Sequence, residues 1–469
     1  MAQTPSLTKV SKSTVLLVTS LAGFVTPFIA SSINLALPSI GKEFSMDAVM
    51  LGWIATAYLL TAVVFLVPLG RLADMYGRKK LFLWGTVIFT FASCLSALSW
   101  SSAVLIISRV IQGIGSAMIF GTGTAMLTSA FPPGERGRAM GINLAAVYIG
   151  LSLGPFIGGL LTQYSGWRSI FWLNSAVGLV AVVATLWKLR AEWADARGEK
   201  FDLIGSVIYG LGIIAVIYGF ASLPDIWGIG WAAIGVIVII VFVIWERRVP
   251  SPVLDVRLFG NNRVFAFSNL AAFISYSATF AVAFLLSLYL QYIRGLEPRD
   301  AGLILVTMPV IQAIFSPLTG RLSDRIEPQV LASAGMGLTA AGLLLLFFLD
   351  ANTALWFILA SLILLGYGFS LFSSPNTNAI MSSVEKRLLG VAAATLSTMR
   401  LSGQMFSLGI AMLLIAVYVG RVQITPDNYP QFLMSIKVAF GIFTLLCFGG
   451  IFASLARGKS RQVAGRLHE

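Results

Sequence analysis

Charged side chains are scarce in this chain, and the ones that catalysis uses most are scarcer still. Asp, Glu, Lys and Arg make up 11% of its 469 residues, against about 25% in soluble domains. The single histidine, His468, lies in the tail. The two cysteines, Cys94 and Cys447, both sit in apolar runs, which excludes a disulfide framework and a paired-cysteine metal motif. All 19 acidic residues fall in loops or at the edges of apolar runs. Asp225 and Asp350 come nearest from one side, Asp74 and Asp324 from the other. No nucleophile, base and orienting group can be assembled from such a set, so the chain is expected to be no enzyme and to hold no metal or cofactor.

What the chain has instead is length without charge. Hydrophobic residues make up 57%, in fourteen stretches at roughly 14–39, 47–69, 81–98, 103–126, 138–163, 168–187, 203–222, 227–245, 264–292, 301–319, 329–349, 354–378, 388–418 and 431–455. Each approaches the ~20 residues that a bilayer-crossing helix needs. The fold class is therefore an all-α membrane protein of fourteen spans, with the lipid bilayer as its first partner. Lys9 and Lys12 lead into an apolar run too long for a signal peptide, so the first stretch is expected to stay as span one.

The net charge of +13 would point to nucleic acid in a soluble protein. Here it reports orientation, and no nucleic-acid partner is expected. With the N-terminus inside, cytoplasmic segments hold 24 Lys and Arg and outer loops hold 5, leaving Arg109, Arg400 and Lys437 within spans. Basic residues collect on the cytoplasmic side, so both termini are expected there, in a multi-pass protein of the cell membrane.

Gly70-Arg71-Leu72-Ala73-Asp74 follows span two and Gly320-Arg321-Leu322-Ser323-Asp324 follows span ten, at an offset of 250 residues. Parallel repeats are a transporter architecture. They divide the chain into a six-helix bundle (1–190), two extra spans with linkers (191–258) and a second six-helix bundle with a tail (259–469). A monomer is expected.

Three motifs carry more. The first runs on from Gly70 and Asp74 through Gly77, Arg78 and Lys79, with its degenerate copy at Gly320 and Asp324. Glycine permits the tight turn, and Asp74 can accept charge-assisted hydrogen bonds, which suits a gate between two helices. The second is Arg109, Gln112 and Gly113 in span four. An arginine inside a span is costly, so it faces a cavity or a partner. The third is Gly141, Gly150, Gly154, Pro155, Gly158 and Gly159 in span five. Each interior Gly costs ~1 kcal/mol against Ala, and an interior Pro ~3 kcal/mol or more. In a membrane, small residues instead let helix backbones approach closely, so the pattern predicts a bare helix face pressed against another helix.

In their order and spacing these motifs resemble those of the major facilitator superfamily. With fourteen spans, Asn34-Leu35-Ala36-Leu37-Pro38 and Phe201-Asp202, the chain is similar to its fourteen-span drug:proton antiporters. The resemblance implies two pseudo-symmetric six-helix halves in a 6 + 2 + 6 arrangement, alternating access, and a cavity lined by spans one, two, four, five, nine, ten, twelve and thirteen. Its candidate residues are Phe28, Asn34, Tyr58, Gln112, Tyr148, Tyr276, Gln312, Tyr367, Arg400 and Gln404, with Phe24 as apolar wall. One departure stands out: where that family often carries an aspartate in span one, this chain has Ile29. A buried proton relay normally needs a titratable group in the membrane, and arginine does not supply one.

Two functions follow as expectations. One is a secondary exporter of small hydrophobic or amphipathic compounds, with protons as the candidate coupling ion. The other is a facilitator, or an exporter of an anionic metabolite or lipid-like molecule, without a buried-carboxylate relay.

Overall fold

The computed structural model describes residues 11–458 apart from 133, 134, 195, 197, 224, 225, 255, 324, 386 and 387. Asp225, Asp324 and His468 lie outside the described residues. Among those residues, fourteen helices are long and apolar enough to cross a membrane. Spans one to six are Lys12–Glu43, Ala48–Tyr76, Arg78–Ala97, Ser102–Ala130, Arg138–Ser165 and Arg168–Lys188. Spans seven and eight are Leu203–Phe220 and Ile226–Glu246. Spans nine to fourteen are Arg263–Ile293, Pro298–Leu322, Pro328–Phe347, Leu355–Ser382, Leu389–Tyr418 and Pro426–Ala456.

Helices start where a short polar side chain takes up a free amide. Asp47 accepts from the Met50 N–H (2.7 Å), Asp202 from Gly205 (2.8 Å) and Asn262 from Phe265 (2.9 Å). Many hydroxyls inside the spans bond back one turn, as Ser93 does to the Phe89 carbonyl at 2.8 Å, which satisfies those donors within their own helix. Gly77 separates spans two and three at φ +124°, a conformation that L side chains rarely adopt.

The repeat is visible in how small residues pack. Gly113 of span four lies against the Tyr58 carbonyl of span two, and Gly366 of span twelve lies against the Met308 carbonyl of span ten. Gly115 meets the Gly85 carbonyl of span three, and Gly368 the Gly335 carbonyl of span eleven. Equivalent positions, about 250 residues apart, thus make the same close helix contacts in each half. Where the halves differ is continuity. Span nine is interrupted at Phe280 and ends in a π-helical turn, Tyr289–Ile293, and span ten is interrupted at Val306. Such irregular turns in a membrane helix are tolerated where protein covers them. The Ala281 amide beside the first break donates to the Ser407 hydroxyl at 3.0 Å.

Spans seven and eight form a hairpin that touches both halves. The Tyr209 hydroxyl donates to the Val63 carbonyl of span two at 3.2 Å, and Phe220 packs edge-on against Phe406 of span thirteen.

Two expectations about single residues need correction. Gly141 has open space where a Cβ would stand, so the glycines of span five that are pressed against a neighbouring helix begin at Gly150. Arg457, one of the basic residues counted to the cytoplasmic side, is buried at the end of span fourteen rather than exposed. It donates to Asn376 Oδ1 at 2.9 Å and Ser268 Oγ at 3.3 Å, tying spans twelve and nine to span fourteen. Burial pulls its guanidinium down to about 10, against the opposing influence of Glu327.

Candidate functional site

A cavity of about 340 Å³ lies between the two halves. Its wall comes from spans one, two, four, five, nine, ten, twelve and thirteen. Seven of the ten candidate residues stand on it: Asn34, Tyr58, Tyr148, Tyr276, Gln312, Arg400 and Gln404. Phe28, Gln112 and Tyr367 do not; helical phase explains Phe28 and Tyr367, and depth along the span explains Gln112. On span one the cavity stripe runs Pro27, Ala30, Ser31, Asn34, and Phe28, one position out of step, stacks on Phe24 instead. On span twelve the stripe is Leu362 and Phe369, while Tyr367 packs against Phe315. On span four it is Phe120 and Thr124, two turns beyond Gln112.

Gln112 belongs to a buried network instead. Arg109 is fully buried, donates from Nε to the Ile54 carbonyl at 3.0 Å and from Nη1 to Gln112 Oε1, and lies 4.4 Å from the centre of the Tyr58 ring. Gln112 donates to Ser93 Oγ at 2.6 Å, and Asn174 donates to the same oxygen at 2.9 Å. Spans two, three, four and six are thus knitted around one guanidinium. Tyr58 is the contact between this network and the cavity: its hydroxyl bonds Ser116 at 2.7 Å while its edge lines the wall.

Arg400 has a different environment. It is half-buried, and among the described residues lining the cavity it is the one formal charge. Nη2 donates to Thr377 Oγ1 at 2.8 Å and the guanidinium stands 5.7 Å from the Tyr276 ring centre. Nε is buried with no hydrogen-bond partner among the described residues. Around it are Tyr148, Phe280 and Phe369, with amides from Asn143, Gln312 and Gln404. An aromatic chamber with few polar groups and one donor-rich cation suits an amphipathic molecule bearing hydrogen-bond acceptors. Ile29, the expected aspartate position, is fully buried and not on this wall.

The span-five motif has two working faces. Gly154 and Gly158 press on span one, against the Phe28 carbonyl, Ser31 and Ser32, and Ser32 donates to the Gly154 carbonyl at 2.9 Å. Gly159 meets the Pro298 carbonyl of span ten, and Gly302 meets the Pro155 carbonyl in return. These are contacts between halves. Further ones lie at the same end of the bundle: the Ala48 N–H donates to the Val422 carbonyl at 2.9 Å, and Ser287 Oγ to the Asn34 carbonyl at 2.7 Å. The end that carries the one–two and nine–ten turns is sealed.

At the opposite end, Asp74 accepts from Arg78 Nε at 2.7 Å, and Arg78 reaches Ser129 of span four at 2.6 Å. Gly70 packs against Gly121, and Gly320 against Ser374. The loop after span six adds two residues that the sequence pattern did not single out. Glu192 accepts from the Lys79 amide at 2.8 Å, capping span three, and occupies the space beside Gly77. Glu199 pairs with Arg71. Acidic residues in a loop flanked by basic ones were the available signal.

Residues 19–244 and 268–467 match the Major Facilitator Superfamily. The chain is 30% identical over 400 residues to the riboflavin transporter RibZ of Clostridioides difficile, covering 85% of this chain and 86% of that one. It is 33% identical over 407 residues to the multidrug resistance protein Stp of Mycobacterium tuberculosis, covering 85% and 74%. Among solved structures, a bacterial homologue of the human lysosomal transporter Spinster, crystallised inward-facing and unoccupied, superposes with a TM-score of 0.70 at 14% identity, over 97% and 98% of the two chains.

Proposed function

Since the chain belongs to the Major Facilitator Superfamily and is a membrane transporter, we propose that it exports small amphipathic compounds by alternating access, with 1–190 and 259–469 as the moving halves. By the basic-residue bias both termini are cytoplasmic, so the sealed end is the outer one and the structure faces inward. Relatives named for riboflavin and for multidrug resistance support transport of small molecules and do not single out one substrate.

The observation that carries the substrate class is the cavity wall: among the described residues, one half-buried guanidinium with a free N–H and no carboxylate. A cationic ligand finds no counter-charge there, whereas a neutral or anionic ligand with an acceptor satisfies Arg400. The same wall disfavours a proton relay inside the cavity. Coupling, where it exists, runs through Asp74, Asp324 or the ligand's own proton. Efflux from proteoliposomes with and without an imposed pH gradient tests this reading. Expected is transport of anionic and neutral amphiphiles with weak dependence on the gradient. Stoichiometric proton-coupled export of a permanently charged cation would overturn it.

A further inference from the structure

At the cytoplasmic base of the seven–eight hairpin, two carboxyl groups face each other away from water. Glu246, the last residue of span eight, has 0% of its surface exposed, and Asp202, the cap of span seven, 9%. Asp202 is well supplied with donors: the Gly205 amide at 2.8 Å and the Trp245 indole N–H at 3.3 and 3.0 Å to its two oxygens. Glu246 Oε2 accepts from the Leu254 amide at 2.9 Å. Glu246 Oε1 is buried with no hydrogen-bond partner among the described residues. It nevertheless shares one small space with Asp202: a Cβ on Gly205 would stand 2.4 Å from Asp202 Oδ2 and 2.5 Å from Glu246 Oε1, which sets the two oxygens beside the same point.

Among the described residues, no cation forms an ion pair with either carboxyl group. Lys200, Arg247 and Arg248 are adjacent in sequence but exposed. Arg257, on the strap leading to span nine, donates to the Arg247 and Val249 carbonyls. From span two, Arg71 is held by Glu199. The remaining neighbours, Ser206, Trp245, Val253 and Leu254, are neutral. Two ionised carboxylates in contact in such a site would leave an acceptor facing an acceptor, at a cost of several kcal/mol per uncompensated ion.

We infer that Asp202 and Glu246 form a proton-binding site, with one proton on Glu246 Oε1 donated to Asp202 Oδ2. This arrangement satisfies every oxygen in the cluster: Asp202 is the anion that collects the donors and Glu246 is the acid. The site sits where the hairpin joins the strap into the second half, because Glu246 also holds the Leu254 amide. Loss of the proton to cytoplasmic water sets two anions against each other and loosens that clasp. A proton bound by the folded chain and released on unfolding makes stability fall as pH rises.

Infrared spectroscopy on the purified full-length protein in lipid nanodiscs tests the site. Expected at neutral pH is a protonated-carboxyl C=O band that shifts in heavy water. It should be lost in Glu246→Gln, whose amide keeps both hydrogen bonds without a titrating proton. It should also be lost in Asp202→Asn, whose amide lets Glu246 ionise. The decline in unfolding temperature from the ordinary carboxylate range up to neutral pH should flatten in Glu246→Gln. Where one variant fails to fold, the other reads the same band. Absence of the band in the wild type, or its persistence in either folded variant, would overturn the inference.

Discussion

Each half of this transporter places one arginine beside a cavity tyrosine, and the two arginines have opposite surroundings. Arg109 lies 4.4 Å from the Tyr58 ring centre, fully buried, with Nε donated to Ile54 and Nη1 to Gln112. Arg400 lies 5.7 Å from the Tyr276 ring centre with Thr377 as its hydrogen-bond partner and Nε free. The repeat does not duplicate them: the position 253 residues after Arg109 is Leu362, and the one 249 before Arg400 is Leu151. Both leucines line the cavity. The proposed function takes Arg109 as scaffold and Arg400, with a donor to spare at the cavity wall, as the recognition group. Residue type alone does not distinguish the two.

The largest effect should come from breaking the scaffold side. Arg109→Leu removes the centre of a buried network and takes a donor from the Ile54 carbonyl and from Gln112 Oε1, a loss of about 1–3 kcal/mol for each acceptor left unsatisfied. Its unfolding temperature in detergent should drop by many degrees. Arg109→Lys should rescue little, because a point charge cannot replace the fork. A stable Arg109→Leu protein that has lost only ligand binding would erase the distinction between the two arginines.

Next comes the seam that both halves share. Gly154→Leu puts a side chain where a Cβ alone would stand 1.8 Å from Ser31 Oγ. Spans one and five must separate, so transport should be abolished while the protein still inserts, as judged by membrane yield. Normal transport by this variant would show that the seam is not a packing face.

Arg400→Leu should leave the unfolding temperature nearly unchanged and weaken anionic ligands roughly tenfold or more, the worth of a charge-assisted hydrogen bond of about 1.5–3 kcal/mol. Binding titrations with an acid and its ester would read this. The smallest effect belongs to Asp74→Asn. It keeps volume but weakens a partly exposed pair with Arg78, which is worth ~1 kcal/mol at most. Transport should slow several-fold with ligand affinity little changed, measured as initial efflux rates.

The sequence made the span number, the repeat and the span-five packing face legible, because each rests on composition or on a spacing that survives in one dimension. Helical phase is what it left open. Phe28 and Tyr367 are cavity-type residues one or two positions off the stripe, and nothing in their chemistry says which side of the helix they take. Gln112 failed for a related reason: its partners Ser93 and Asn174 come from spans three and six, far away in sequence. Glu246 sits at the edge of an apolar run, and whether such a residue folds into water or out of it depends on the segment that follows, where the Leu254 amide covers it. The Ile29→Asp change, which the family pattern suggests as a route to cation binding, would bury a carboxylate in a core position and should destabilise the fold instead.

The most direct test of the account is substrate counterflow in proteoliposomes with a matched pair of amphiphiles, one carboxylic acid and its methyl ester, in wild type and Arg400→Leu. The account predicts that the wild type prefers the acid or takes both, and that Arg400→Leu loses the acid while keeping the ester. Equal loss of both compounds, or unaltered counterflow of the acid, would contradict the assignment of Arg400 as the ligand-facing charge.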